Sequence, residues 1–271
     1  MIKQAIIPLA GLGTRLLPLT SVFPKELLPI NGKPGLEYIL DECIQAGIKE
    51  IIFIISNKKK LIKKYFYNDK FYKNFLKRKK DKRVILEYKK IFNLKKKIKF
   101  VYQNKPLGTG DAVLKTKKLI TGSHFLILFP DDIIMKRNCS KDMISLHKKF
   151  NSSVIASIKV RKKDVSRWGV FSVKSQINKN NFFINDVVEK PKINQAPSNN
   201  AVIGRYILPK EIFSKLEKQN KGIGGEIHIT DSIRKLIQEN HKFIGHNFAG
   251  KYLDCGTMKG YIKSSLEISK I

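Results

Sequence analysis

The sequence predicts an α/β fold: a doubly wound, mostly parallel, Rossmann-like sheet joined to a smaller α+β lobe that completes a cleft. Three observations carry this. Over the first sixty residues, short apolar runs alternate with helical periodicity, the pattern of buried parallel strands linked by crossover helices. A glycine-rich loop, Ala10-Gly11-Leu12-Gly13-Thr14, follows the first apolar run directly, at the place where doubly wound folds bind ligands. From Gly169 onward the pattern changes to shorter β-like runs separated by turn formers.

Residues 3–8 form the first apolar run. Leu36, Ile39, Leu40, Cys43 and Ile44 then recur at helical spacing, with Pro34 at the start and Gly47 where a C-terminal cap belongs. Residues 51–55 are a second buried strand, and strand, helix and strand together make a right-handed parallel unit. Further buried strands fit 98–102, 125–129 and 154–160, with a Gly loop and a helix over 112–120 between the first two. Strands at 170–173, 182–188 and 202–208 follow, then helices at 230–240 and 257–269. No internal repeat or linker interrupts the chain. It reads as one domain, 1–271, in which 1–160 is the first part and 161–271 the part that closes the cleft.

Composition bounds the function. The 271 residues are 42% hydrophobic and 10% aromatic, which excludes a disordered chain. No run approaches the ~18 uninterrupted apolar residues of a membrane span. No cleavable signal pattern opens the sequence. Cys43, Cys139 and Cys255 are widely spaced, odd in number and lack metal-ligand spacing, so a reduced, cytoplasmic chain is expected.

Charge is the extreme feature: 54 Lys+Arg against 22 Asp+Glu, a formal net of +32. A charge of that size points to nucleic acid or an anionic membrane. Its make-up points elsewhere. Only 8 of the 54 are Arg, whereas nucleic-acid binders favour the bidentate, stacking guanidinium. Residues 57–99 carry 19 basic and 3 acidic residues, half of the net charge, and read as a solvated surface segment. Neither a specific nucleic acid nor a membrane is therefore expected as partner. A basic nucleic-acid-binding protein using that segment is the competing class.

The glycine loop alone is a weak signal. A dinucleotide fingerprint needs a third glycine where Leu16 stands, and a P-loop needs a Gly-Lys-Ser/Thr ending that is absent. The continuation is more specific: Gly11-Leu12-Gly13-Thr14-Arg15, then Pro24-Lys25. Arg15 can fork onto phosphate oxygens, and Lys25 offers a point charge. This spacing resembles the signature of the sugar nucleotidyltransferases. Matches at 187–191, 196–206, 225–231 and 254–256 narrow the resemblance to the branch that joins UTP to glucose 1-phosphate, and only 57–99 matches weakly. No left-handed β-helix repeat follows the core, so no fused acetyltransferase is expected.

The resemblance implies the rest of the site. Arg15 and Lys25 hold the triphosphate and neutralise charge as pyrophosphate departs, over the backbone of Ala10, Gly11, Gly13 and Thr14. Asp131, at the end of an apolar strand, and Asp254, at a turn before the last helix, become the carboxylates for Mg²⁺, which is usually held by one or two carboxylates plus phosphates and waters. Asp132 departs from the branch's usual apolar residue. Gln103 and Gly108 recognise the base, since an amide offers a donor and an acceptor to the imide edge of uracil. Glu189 accepts from sugar hydroxyls, Lys190 takes the sugar phosphate, Gly169 allows close approach and Glu226 lines the pocket. Trp168 reads as a packing residue and His228 as a helix-entry residue. Thr109 and Asp111 replace the branch's Leu and His, which keeps N-acetylglucosamine 1-phosphate, or dTTP for UTP, open as alternative substrates.

The implied reaction is in-line attack of a sugar-phosphate oxygen on the α-phosphorus of UTP. That nucleophile is already anionic, so no general base is required, and none of the five histidines or three cysteines sits in a recognisable catalytic pattern. A homodimer or tetramer is also implied.

Overall fold

The structure, a computed structural model, describes residues 2–68, 73–74, 78 and 81–270. Part of the Lys-rich 57–99 segment therefore lies outside the described residues. The first strand, β1 (Gln4–Pro8), is buried on both faces. A small ribbon, β2 (Pro29–Ile30) and β3 (Lys33–Pro34), leads into α1 (Gly35–Gln45). Gly47 closes that helix with φ 84°, its N–H donating to Ile44 O at 3.0 Å while Ile48 N–H reaches Cys43 O at 3.0 Å. This left-handed cap is open to glycine without the Cβ clash other residues meet. The chain then enters β4 (Glu50–Ile55), parallel to β1.

After α2 (Lys60–Tyr67) and α3 (Lys82–Lys95), β5 (Ile98–Tyr102) pairs parallel with β4. Next come α4 (Thr109–Leu114) and β6 (His124–Leu128), parallel to β1 on its other side. The predicted helix at 112–120 thus starts at Thr109 and stops at Leu114, because the glycine loop itself turns into its first residues. β7 (Asp132–Met135) leaves the main sheet, and α5 (Cys139–Phe150) returns the chain to β8 (Ser153–Lys159). The hairpin β9 (Gly169–Asn178) and β10 (Asn181–Glu189) is followed by β11 (Asn200–Pro209), α6 (Ile212–Glu217), α7 (Ile229–Gln238), β12 (Phe243–Asn247), β13 (Lys251–Asp254) and α8 (Met258–Ile268).

Nine strands form one mixed sheet in the order β5-β4-β1-β6-β11-β8-β12-β10-β9. The quartet β5-β4-β1-β6 is parallel, whereas β11 runs antiparallel to both β6 and β8, and β10 antiparallel to β12 and β9. β11 is buried along its whole length, Arg205 included, and a strand buried on both faces carries no signal of its direction. The strands expected to form a second lobe are the far end of this same sheet. Two apolar layers cover its faces by strict alternation: Ile7, Phe53 and Ile55 face one, with α1, α2 and α5, while Ile6, Ile52 and Ile54 face the other, with α4, α6 and α7.

Three elements escape the sequence pattern for physical reasons. β7 and β13 are four residues each and pair only with one another. α5 has a legible start, since Asn138 Oδ1 accepts from Lys141 N–H at 2.8 Å, and Cys139, Met143, Leu146 and Phe150 recur at helical spacing amid lysines. The Lys-rich stretch is not all solvated surface: Ile62, Phe66 and Leu94 are buried, and Lys59 is 6% exposed. Among the described residues no helix is long and apolar enough to cross a membrane.

Candidate active site

Because β1, β5 and β6 run parallel, the loops that leave their carboxyl ends gather on one edge of the sheet. They line a cleft of about 820 Å³. All fourteen residues singled out in the sequence face this cleft, whose far side is built by β9, β10 and the segment before α7.

One wall begins at the glycine loop. Gly13 adopts φ 71°, and its carbonyl accepts from Leu16 N–H at 2.9 Å and Thr20 Oγ1 at 2.8 Å, which bends the chain at once into a helical turn carrying Thr14 and Arg15. Lys25 Nζ donates to Asp131 Oδ2 at 2.7 Å, and Arg15 Nη2 lies 3.7 Å from that same oxygen. Burial by itself would lower the Lys25 pKa, but Asp131 outweighs it and holds the ammonium above its ordinary range. Burial likewise pushes Asp131 up, and Lys25 reverses it, so the carboxyl sits below the usual range. Both groups are charged in place. Glu26, next to Lys25, turns the other way and receives both its bonds from the buried Lys59 Nζ, at 2.7 and 2.8 Å.

The turn after β6 places two adjacent aspartates in different surroundings. Asp132 Oδ1 accepts from Tyr252 Oη at 2.6 Å and its Oδ2 from Gly204 N–H at 2.6 Å. Burial and the neighbouring Asp131 charge push its pKa up to about 6. Both Asp132 oxygens thus hold protein donors, and this residue positions the turn. The fully buried Arg205 fixes the same turn from behind: Nη2 donates to Asp132 O at 2.6 Å and Nη1 to Phe129 O at 3.3 Å, while Glu42 accepts from Nη2 at 2.8 Å and from Nε at 3.1 Å. A Cβ at Gly204 would sit 2.4 Å from Phe129 Cβ, so only glycine lets the strand approach.

Asp131 remains directed at the cleft, and Asp254 meets it. Cys255 N–H donates to Asp131 O at 2.7 Å, which draws the end of β13 beside β6. A Cβ at Gly256 would lie 2.8 Å from Asp131 Oδ2, 3.1 Å from Asp254 Oδ1 and 2.8 Å from Arg15 Nη2, so two carboxylates 123 positions apart border one small cradle. Among the described residues no cluster of three or more His, Cys, Asp or Glu could hold a metal alone. Two converging carboxylates fit a hard cation that takes its remaining oxygens from phosphates and water.

At the base end, Gly108 has φ 98°, and Gly110 N–H donates to Ile227 O at 2.7 Å while Ile227 N–H donates to Leu107 O at 2.8 Å. These bonds press the loop against Glu226 and Ile227. Gln103 does not present both ends of its amide to the cleft: Nε2 donates to Gly108 O at 3.1 Å and Asp111 Oδ2 at 2.8 Å.

The opposite wall is the open end of the β9–β10 hairpin, where Glu189 pairs with Gly169. A Cβ at Gly169 would sit 3.2 Å from Glu189 Oε2, which accepts from Thr230 Oγ1 at 3.0 Å. Lys190 N–H donates to Trp168 O at 3.0 Å, and Lys190 itself has φ 47°, a backbone that lysine adopts at a cost of about 1 kcal/mol. Its Nζ lies 3.8 Å from Glu189 Oε1. Trp168 both packs edge-on against Tyr252, with ring centroids 6.0 Å apart, and lines the cleft. His228 is the residue before α7 and also faces the cleft. Sequence reasoning missed Glu26, Arg205, Tyr252 and Thr230. Arg205 and Thr230 stand inside the quoted motifs and Glu26 directly follows one, but their partners are distant in sequence, so only the fold reveals what they hold.

Two cations beside a paired-carboxylate cradle, faced by a second acid–cation pair, have the charges to align two phosphorylated substrates. The family profile described as nucleotidyl transferase matches residues 4–271. The UTP–glucose-1-phosphate uridylyltransferase of Mycoplasma pneumoniae is 37% identical over 267 residues, covering 98% of this chain and 91% of the relative. That of Bacillus subtilis is 37% identical over 271 residues, covering 99% and 91%. A solved UDP-glucose pyrophosphorylase complexed with UDP-glucose superposes with a TM-score of 0.87 at 34% identity, covering 100% of this chain and 99% of that one. With the profile spanning nearly every residue and the relatives nearly full length, this mixed α/β chain belongs to the nucleotidyl transferase family.

Proposed function

We propose that this protein is a UTP–glucose-1-phosphate uridylyltransferase. The observation that carries the reading is the pairing of the Arg15–Lys25–Asp131 wall with the Glu189–Lys190 wall across one cleft. An oxygen of the glucose 1-phosphate attacks the α-phosphorus of UTP. The bond from that phosphorus to the bridging oxygen breaks, and pyrophosphate leaves as UDP-glucose forms. The nucleophile is already an anion, so the work is alignment and charge neutralisation.

In this reading residues 1–160, the first winding of the core, serve the nucleotide, and 161–271 serve the sugar phosphate. The backbone of Ala10, Gly11, Gly13 and Thr14 runs along the triphosphate. Arg15 and Lys25 offset charge on the departing pyrophosphate, and Lys190 holds the sugar phosphate. Glu189, steadied by Thr230, accepts from sugar hydroxyls, with Gly169 giving room and Glu226 lining the same side. Asp131 and Asp254 would hold Mg²⁺, which when bound supplies Lewis-acid neutralisation of phosphate oxygens. Gln103 reads the base. The three free, buried cysteines support a reducing, cytoplasmic setting, and a dimer or tetramer is part of the same proposal.

Pyrophosphate release over a matrix of UTP, dTTP and CTP against glucose 1-phosphate and N-acetylglucosamine 1-phosphate tests this. UTP with glucose 1-phosphate is expected to be the fastest pair. Faster turnover of N-acetylglucosamine 1-phosphate would move the chain to another branch, and RNA binding without any pyrophosphate release would remove it from catalysis.

A further inference from the structure

The geometry points to Asp111 as the residue that sets the choice of pyrimidine, by fixing which end of the Gln103 amide meets the base. Asp111 stands where the sequence departs from its branch, and it is 5% exposed in the first turn of α4. Its Oδ2 accepts one Gln103 Nε2 hydrogen at 2.8 Å, and Gly108 O accepts the other at 3.1 Å. An amide nitrogen has two hydrogens, so its donor capacity is spent inside the protein. Turning the amide over would set Oε1 against two acceptors, a carbonyl and a carboxylate, with no hydrogen between them. Lys115 holds the other oxygen, its Nζ 3.4 Å from Asp111 Oδ1, and this keeps the carboxylate in register one turn along the helix.

Among the described residues no donor reaches Gln103 Oε1, and that atom is not sealed in the core. Gln103 therefore offers the cleft an acceptor alone. Uracil and thymine carry N3–H, a donor that fits. Cytosine carries a bare N3 acceptor, which Oε1 repels. The lock accordingly separates UTP from CTP and does not separate UTP from dTTP. It rests on the proposed reading in that Gln103 faces the base. Asp111 touches no substrate and acts only through Gln103, as a positioning residue.

The test is kcat/KM for UTP and for CTP, with glucose 1-phosphate fixed, together with equilibrium binding of each nucleotide in the absence of sugar phosphate. Wild type is expected to favour UTP in both. Asp111→Leu removes the acceptor, so the UTP:CTP ratio is expected to fall about tenfold or more, the worth of one buried hydrogen bond in a specificity site. Asp111→Asn can still turn an oxygen toward Nε2 and is expected to keep the ratio. Asp111→Ser, too short to reach Gln103, is the second variant should Leu impair folding. Equal losses for UTP and CTP in the Leu or Ser variant would overturn the proposal, as would a wild type indifferent to the two. Selective UTP binding without UDP-glucose formation would instead sink the functional reading and leave the lock standing.

Discussion

Lys25 and Lys190 approach the cleft from opposite walls and are held in opposite ways. Lys25 has 16% of its side chain exposed and is bonded to Asp131, inside a turn fixed by Arg205, Asp132 and Tyr252. Lys190 has 49% exposed, is 3.8 Å from Glu189 and sits on a left-handed backbone. The Lys25 wall, proposed to hold the nucleotide, is therefore organised before substrate arrives, with its charges set in a low-dielectric surround where they cost no rearrangement. The Lys190 wall, proposed to hold the sugar phosphate, keeps its cation adjustable, anchored through the main chain at Trp168 rather than through the ammonium.

The widest break in the comparison is Asp131→Asn. It removes one carboxylate of the proposed metal cradle and the counter-charge of Lys25, and turnover is expected to fall about 10³-fold, read from initial rates at saturating UTP and Mg²⁺. Retention of near-full activity would show that the first wall does not depend on this carboxylate. Behind the same wall, Glu42→Gln leaves the Arg205 guanidinium buried without its charged partner. Its loss is expected to lower unfolding stability by about 3–5 kcal/mol in denaturant titrations. A loss under about 1 kcal/mol would mean that the turn is not braced from Arg205.

Lys190→Ala probes the other wall. The KM for glucose 1-phosphate is expected to rise about 10–100-fold, the worth of one charge-assisted hydrogen bond, with the KM for UTP nearly unchanged. Equal shifts in both would erase the division between walls. The smallest effect lies away from the cleft. Burial holds His124 and His246 below the ordinary imidazole range. Their stabilising contribution is present above the unfolded value of about 6.5 and is lost as pH falls from there through the lowered folded value, because in that window the unfolded chain takes protons the folded chain refuses. Asp132, pushed up to about 6, works in the opposite sense in the neighbouring window. The imidazole contribution is therefore read as a shallower fall in thermal midpoint below pH 6.5 for His246→Gln than for wild type.

Much of the first wall was legible because its residues are contiguous. Gly11 to Arg15 and Pro24-Lys25 stand within one short stretch, and the apolar run before them fixes which sheet edge they occupy. Asp131 was legible as a strand-end acid, and Asp254 only through resemblance, since nothing in its own neighbourhood announces a partner 123 positions away. The groups that hold Asp132 and the Gln103 amide in place were not legible. Asp132 shows in the sequence only as a departure from its branch until Tyr252 and Gly204 are seen to occupy it, and the Gln103 amide looks two-sided until Asp111 claims its nitrogen. Strand direction was equally silent. β11 is buried on both faces, and its antiparallel run between β6 and β8 is decided by the connections around it.

One cleft is proposed to join two phosphorylated substrates, and the most direct test follows both products from a single reaction. Purified protein with UTP, glucose 1-phosphate and Mg²⁺ is predicted to form UDP-glucose and pyrophosphate in equal amounts, and chelation of the metal to stop both. A folded protein that binds UTP yet forms neither product, or that releases pyrophosphate without UDP-glucose, would contradict it.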